Sequence, residues 1–255
     1  MQKIIAANWK MHKVRHEAAK TAAELANALG GGVLENRLVV VFPPFTDIAT
    51  VSDAFEGVGN LATGGQNFYP AEQGAFTGEI SPAMLKDCGA TWALTGHSER
   101  RHVFDESDEI VAKKTRFGME KGFKIMLCVG ETLKEREEGQ LGNVLSRQIA
   151  SALEPLSGNA DISLINQLAI AYEPVWAIGT GKVAGPAEII EAHAVVRELL
   201  KGQNPSAANE IPILYGGSVK ADNAGTILKL ENVDGLLVGG ASLEAESFLK
   251  IINAR

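Results

Sequence analysis

The sequence is poor in cysteine, in aromatic residues and in long apolar runs, and positive charge is in short supply. Its 255 residues include two cysteines, Cys88 and Cys128, far apart and without metal-ligand spacing. That excludes a disulfide framework and reads as reduced thiols of an intracellular protein. Aromatic residues are 6%, few for a sugar-binding cleft. No stretch approaches the roughly 20 apolar residues of a membrane span, and residues 1–10 lack the apolar run of a signal peptide. The one N-x-Ser/Thr sequence, Asn204-Pro205-Ser206, is disqualified by its proline. These absences predict a cytoplasmic protein. Lysine and arginine number 24 against 31 acidic residues, a net charge of −7. That balance argues against a nucleic-acid or anionic-membrane surface, so any phosphate site has to be built locally.

What is present is ordinary globular composition, 45% hydrophobic and 22% charged, arranged as short apolar runs alternating with longer amphipathic ones. Strands are predicted at 4–8, 38–42, 61–64, 91–95, 124–129, 168–172, 213–215 and 235–238. Most are nearly continuous Val, Ile, Leu and Ala, the pattern of parallel strands buried on both faces. Helical stripes fill the gaps. Ala18, Ala22, Leu25, Ala26 and Leu29 form one, stopped by Gly30-Gly31-Gly32. Another comprises Ile189, Ala192, Val196, Leu199 and Leu200 after Pro186. Ser242 is expected to cap a last helix carrying Phe248, Leu249 and Ile252. Eight β-then-α units without a linker predict one α/β domain over 1–255, a closed (β/α)8 barrel of eight parallel strands surrounded by helices. Periodicity alone does not separate it from a doubly wound open sheet. Residues 66–79 fit neither period and read either as a mobile surface loop or, because Phe68, Tyr69 and Phe76 are too apolar for a free tip, as a loop held by another subunit.

In such a barrel the site lies where strands end. Asn8 and Lys10 follow the first strand, Gly96-His97-Ser98-Glu99-Arg100-Arg101 the fourth, Glu173 the sixth, Gly216-Gly217-Ser218 the seventh and Gly239-Gly240 the eighth. Glycine pairs allow backbone N–H groups to approach a phosphate, although each pair alone is equally well explained as turn chemistry. Glu173, between apolar neighbours, suits a base, and His97 an electrophile, though either residue alone reads equally as a structural partner. Residues 174–182 read as a lid with an apolar underside of Trp176 and Ile178. Gly179-Thr180-Gly181-Lys182 fails as a nucleotide loop, because Val183 stands where a magnesium-binding Ser or Thr is needed and Trp176 where the first glycine belongs. No G-x-G-x-x-G follows a strand, which disfavours a dinucleotide.

Asn8-Trp9-Lys10, residues 96–101, residues 171–182, Tyr215-Gly216-Gly217-Ser218 and residues 237–241, in that order, resemble the triosephosphate isomerase family along essentially the whole chain. The resemblance implies an aldose–ketose isomerase of glycolysis and gluconeogenesis that interconverts D-glyceraldehyde 3-phosphate and dihydroxyacetone phosphate, needing no cofactor and no metal. It implies Glu173 as the base, His97 polarising the carbonyl and enediolate oxygens, Lys10 as fixed positive charge and Asn8 as a positioning group. The backbone N–H groups of Gly179, Ser218, Gly239 and Gly240 would hold the phosphate, with Glu99 organising His97 and Lys10. It further implies a homodimer in which residues 66–79 insert beside the neighbour's site, Thr77 at the tip and Glu79 pairing with Arg100 across the interface. His12 and Lys13, where Asn and Gly are more usual, and Thr95, where an aliphatic residue is, depart from the family's commonest pattern.

Other readings compete. Glu99, Glu131 and Glu173 could serve a glycosidase, but that leaves the glycine rim idle. A Schiff-base phosphotriose aldolase using Lys10 or Lys182 is nearer. A catalytically inactive phosphosugar-binding barrel is the non-enzyme alternative, and Lys10, His97 and Glu173 together argue against it.

Overall fold

A computed structural model describes residues 2–31, 36–153, 164, 166–178 and 183–255. Most of the 30–36 stretch, and Gly179 with the rest of the expected lid tip to Lys182, lie outside the described residues.

The apolar runs become β1 (Lys3–Asn8), β2 (Arg37–Phe42), β3 (Leu61–Gly65), β4 (Trp92–Thr95), β5 (Lys124–Val129), β6 (Leu168–Tyr172), β7 (Ile213–Tyr215) and β8 (Gly235–Val238). Each pairs in parallel with the next, and β8 pairs with β1 from Ile4↔Gly235 to Ala7↔Val238, closing the barrel. This removes the open-sheet alternative. The seam depends on glycine, since a Cβ at Gly235 would lie 2.0 Å from the carbonyl oxygen of Ile4.

Side chains alternate across the wall with period two. Ile4, Ala6, Val40, Phe42, Trp92, Leu94, Met126, Cys128, Ala169, Ala171, Leu214 and Leu237 fill the barrel interior. Their outward neighbours, such as Ile5, Val39, Ile125 and Leu127, pack on the helices. Large and small residues interlock inside: a Cβ at Gly64 would meet the Phe42 ring at 2.4 Å. Burial on both faces is why these strands read as unbroken apolar runs.

The helices use the predicted stripes. Arg15–Leu29 buries Ala18, Ala22, Leu25 and Leu29 and is capped by Gly30. Pro186–Gln203 begins on its proline and buries Ile189, Ala192, Val196 and Leu200. The expectation for Ser242 is corrected. The last helix, Ala245–Ile252, has Glu244 as its N-cap, and Ser242 ends a 3-10 turn before it. Its hydroxyl turns back to the carbonyl oxygens of Gly239 and Val238, 2.6 and 3.1 Å away, and is therefore taken by the end of β8. Residues 66–79 contain no helix or strand. Within that loop Phe68 belongs to the chain's own core, while Tyr69 and half-exposed Phe76 stack with ring centroids 4.3 Å apart.

Candidate active site

The carboxyl ends of β1, β4, β6, β7 and β8 converge on one cleft of about 460 Å³, lined by Asn8, Lys10, His97, Glu99, Glu173, Ser218, Gly239 and Gly240 among others. At the end of β1 the chain turns sharply. Lys10 has φ of 52°, a left-handed conformation that costs a non-glycine residue about 1–2 kcal/mol. Three hydrogen bonds hold it there. Its N–H donates to Asn8 Oδ1 at 3.0 Å, its ammonium to Glu99 Oε1 at 2.6 Å, and its carbonyl accepts from Gln66 Nε2 at 2.9 Å.

After β4, Gly96 turns the chain at φ 66° and His97 becomes the N-cap of the helix Ser98–His102. The N–H of Glu99 donates to His97 Nδ1 at 3.2 Å. That nitrogen is therefore the acceptor, and the ring's single proton sits on Nε2, 3.1 Å from Glu173 Oε1. The second carboxylate oxygen of Glu173 accepts from the N–H of Ser98 at 2.9 Å. Both side chains are almost wholly buried. Burial disfavours the carboxylate of Glu173, but His97, the Ser98 N–H and Lys10 outweigh it and hold the group below the usual range. Burial likewise works against an imidazolium at His97, while Glu173 favours one, and the balance lies above the ordinary value. A proton on Nδ1 would sacrifice the bond from Glu99, so the neutral ring is the form whose bonds this geometry satisfies.

The two glycine pairs have different reasons to be glycine. A Cβ at Gly216 would press on Glu173 Cγ at 2.9 Å, and one at Gly217 on the Tyr215 hydroxyl at 2.2 Å. Internal packing explains that pair. A Cβ at Gly240 would meet nothing, and one at Gly239 only Lys10 Cε at 3.6 Å. There glycine preserves open space in the cleft, which is what an approaching ligand needs.

A family model described as triosephosphate isomerase matches residues 3–255. The chain belongs to the triosephosphate isomerase family. It is 59% identical over 254 residues to a triosephosphate isomerase of Oleidesulfovibrio alaskensis and 56% identical over 254 residues to one of Nitratidesulfovibrio vulgaris strain Miyazaki F, covering 100% of both chains in each case. A triosephosphate isomerase of Lawsonia intracellularis is 50% identical, matching 100% of this chain and 98% of its own. This triosephosphate isomerase family member is accordingly an enzyme, an isomerase of glycolysis.

Two departures from the family's commonest pattern have visible causes. Thr95 faces Thr115, the two hydroxyls 2.9 Å apart in the core. Lys13 occupies a left-handed φ of 76°, where glycine would be unstrained, and its ammonium bonds Thr21 Oγ1 at 2.9 Å and lies 5.1 Å from the centroid of the Trp9 ring.

Sequence reasoning missed the anchor of Trp176. Trp176 was expected to supply only apolar area, yet its indole N–H donates to Glu131 Oε1 at 2.9 Å, an oxygen that also accepts from the Tyr172 hydroxyl at 3.0 Å. Glu131 is fully buried, and burial raises its carboxyl above the usual range despite both donors. Arg136 joins the cluster, 3.7 Å from Glu131 and 2.5 Å from Glu191. The carboxylate thus holds the 3-10 turn Val175–Ala177 and, unlike Glu173, stands outside the lining of the cleft. Gln66 was missed as well. It stood in the unassigned loop, and no sequence motif marks a glutamine that caps two strand-end carbonyls.

Of the residues expected at the subunit contact, Thr77 and Glu79 are exposed. Arg100 is bonded within its own chain to Glu106 Oε1, through Nε at 2.9 Å and Nη2 at 2.6 Å. Glu106 also pairs with Lys114, which bonds Asn67 Oδ1 at 2.7 Å.

Proposed function

We propose that Glu173, His97 and Lys10 carry out the interconversion of D-glyceraldehyde 3-phosphate and dihydroxyacetone phosphate by proton transfer alone. The observation that carries this reading is a buried carboxylate 3.1 Å from an imidazole whose proton is fixed on Nε2, in a cleft with an ion-paired lysine. Glu173 removes the proton from the carbon next to the carbonyl. The Nε2–H of His97 donates to the carbonyl oxygen as negative charge develops there, and the Lys10 ammonium adds fixed positive potential. Glu173 then returns the proton to the adjacent carbon, and the hydroxyl protons redistribute through His97. Substrate and product are isomers, so no electron or group leaves and no cofactor is required. The substrate displaces the Glu173–His97 contact, which places base and electrophile on either side of the reacting carbons.

The phosphate would lie against the N–H groups of Ser218, Gly239 and Gly240, with Gly179 as a further donor; the open space at Gly239 and Gly240 supports this placement. Closure of residues 174–182 would exclude water from the enediolate and suppress loss of phosphate. Lys10 donates to the carboxylate of Glu99, an arrangement for a fixed cation and not for the free amine a Schiff-base aldolase needs.

The enzyme acts as a homodimer in the cytoplasm, with no nucleic-acid or membrane partner. Met11, Phe45, Phe76 and Met84 are exposed apolar residues in segments that follow β1, β2 and β3, which are consecutive in the barrel, so they share one flank. Among the described residues, no helix is long and apolar enough to cross a membrane.

The decisive experiment measures dihydroxyacetone phosphate formation from D-glyceraldehyde 3-phosphate by the parent and by Glu173→Gln. Fast conversion that falls by orders of magnitude in the variant, with competitive inhibition by inorganic phosphate retained, supports the reading. Comparable turnover removes Glu173 from the base role. Borohydride trapping of a lysine adduct with substrate would favour the aldolase instead.

A further inference from the structure

We propose that Gln66 is a positioning residue that holds Lys10 in its active conformation and thereby ties that lysine to the loop expected to meet a second subunit. The inference rests on the role assigned above to Lys10.

Gln66 is the first residue after β3 and opens the irregular segment 66–79. Its amide nitrogen donates to two carbonyl oxygens at once, those of Lys10 and Phe42, each at 2.9 Å. A primary amide has two N–H donors, and both are used. Phe42 is the last residue of β2, and its carbonyl also accepts the N–H of Trp9 at 3.1 Å. One side chain therefore joins the ends of three neighbouring strands at the point where β1 turns into the site.

The carbonyl of Lys10 needs such a partner. With φ at 52° the peptide after Lys10 is turned out of the strand ladder, so β2 does not supply the usual donor. The neighbouring side chain Asn8 holds the N–H of the same residue, and Glu99 holds its ammonium. Remove the amide of Gln66 and the backbone on the carboxyl side of Lys10 loses its restraint, leaving the left-handed conformation without the bond that offsets its strain. The ammonium then swings on a less defined pivot, and displacement of a positioned group by about 1 Å can cost on the order of 10²-fold in rate. The next residue, Asn67, is bonded instead to Lys114. Loop anchoring and lysine positioning are thus carried by different side chains and can be separated.

The test is a double-mutant cycle on kcat/KM for D-glyceraldehyde 3-phosphate using Gln66→Met, which keeps length and bulk and removes the donors, in the parent and in Lys10→Met. The expected result is at least a tenfold loss in the parent background and less than a twofold change in the Lys10→Met background. Gln66→Asn, whose shorter amide does not span both carbonyls, gives an intermediate loss and carries the test if Gln66→Met does not fold. Asn67→Ser serves as the loop control and leaves kcat/KM within about threefold. The proposal is overturned if Gln66→Met stays within twofold of the parent, if its loss is equally large without Lys10, or if Asn67→Ser reproduces it. Should Lys10→Met itself retain parental activity, the fault lies with the role of Lys10 and not with the clamp.

Discussion

His97 and Glu173 face one another across 3.1 Å, and the helix that follows β4 orients both: the Glu99 N–H bonds the ring, and the Ser98 N–H bonds the carboxylate. Two consecutive backbone amides at one helix N-terminus thus fix the tautomer of His97 and the rotamer of Glu173. A neutral imidazole in this position donates without first acquiring charge, which suits it to a developing oxyanion.

His97→Gln keeps a donor but changes its acidity and reach. Loss of a positioned acid–base group is expected to lower kcat by on the order of 10²–10⁴-fold with a smaller effect on KM. Steady-state kinetics in both directions make the distinction, and a change confined to KM would assign His97 to binding only.

Trp176→Phe keeps the ring against the core and removes the N–H bonded to Glu131. The buried carboxylate retains Tyr172 as a donor, so the expected loss of stability is about 1 kcal/mol, read as a lower urea midpoint. On the proposed closure of residues 174–182, releasing Trp176 makes closing less frequent, and kcat/KM is expected to fall several-fold. Unchanged kinetics beside reduced stability would confine the contact to a structural role.

His193 gives the fold an acid-sensitive point away from the cleft. Its Nδ1 bonds the carbonyl of Asn232 at 2.9 Å, and burial lowers the ring from 6.5 to about 4. Between those values the unfolded chain binds the proton and the folded chain does not. Stability is therefore full above pH 6.5 and is lost as pH falls toward 4, by on the order of 3 kcal/mol. Comparing urea midpoints at pH 7 and pH 4.5 should show a smaller acid loss in His193→Gln, and equal losses would assign the sensitivity to other groups.

Glu79→Arg probes the proposed subunit contact more cleanly than a change at Arg100, which is already bonded to Glu106 in its own chain. If exposed Glu79 meets Arg100 of a second copy, charge reversal raises the dimer dissociation constant by tenfold or more. Sedimentation at nanomolar protein reads this directly. A profile matching the parent would leave Arg100 with Glu106 alone.

Strands β5 to β8 have the bounds their apolar runs predict, because residues buried on both faces leave no polar interruption to blur them. That Asn8, Lys10, His97, Glu173 and the glycine turns share one rim was equally legible, since a strand end followed by a charged or glycine-rich turn marks the mouth of a barrel. Contacts made by one polar side-chain atom were not. The hydroxyl of Ser242 looked like a cap and bonds the end of β8, while Glu131 and Gln66 carry no local pattern at all. Closure of the barrel followed from the count of eight β-then-α units and not from periodicity, which fits an open sheet as well. Its clearest trace is Gly235, whose missing side chain makes room for the carbonyl of Ile4 and would otherwise pass for a turn residue.

Phe42 and Gly64 share a single volume inside the barrel, the ring of one filling the space where the other would carry a side chain. A side chain at 64 would also meet the Cβ of Trp92 at 2.9 Å, so among relatives a larger residue there requires both a smaller one at 42 and a shift of β4. Because Phe42 also lends its carbonyl to Trp9 and Gln66, such an exchange would move the floor beneath Lys10, so neutral variation here is confined to swaps that leave the backbone of β2 in place.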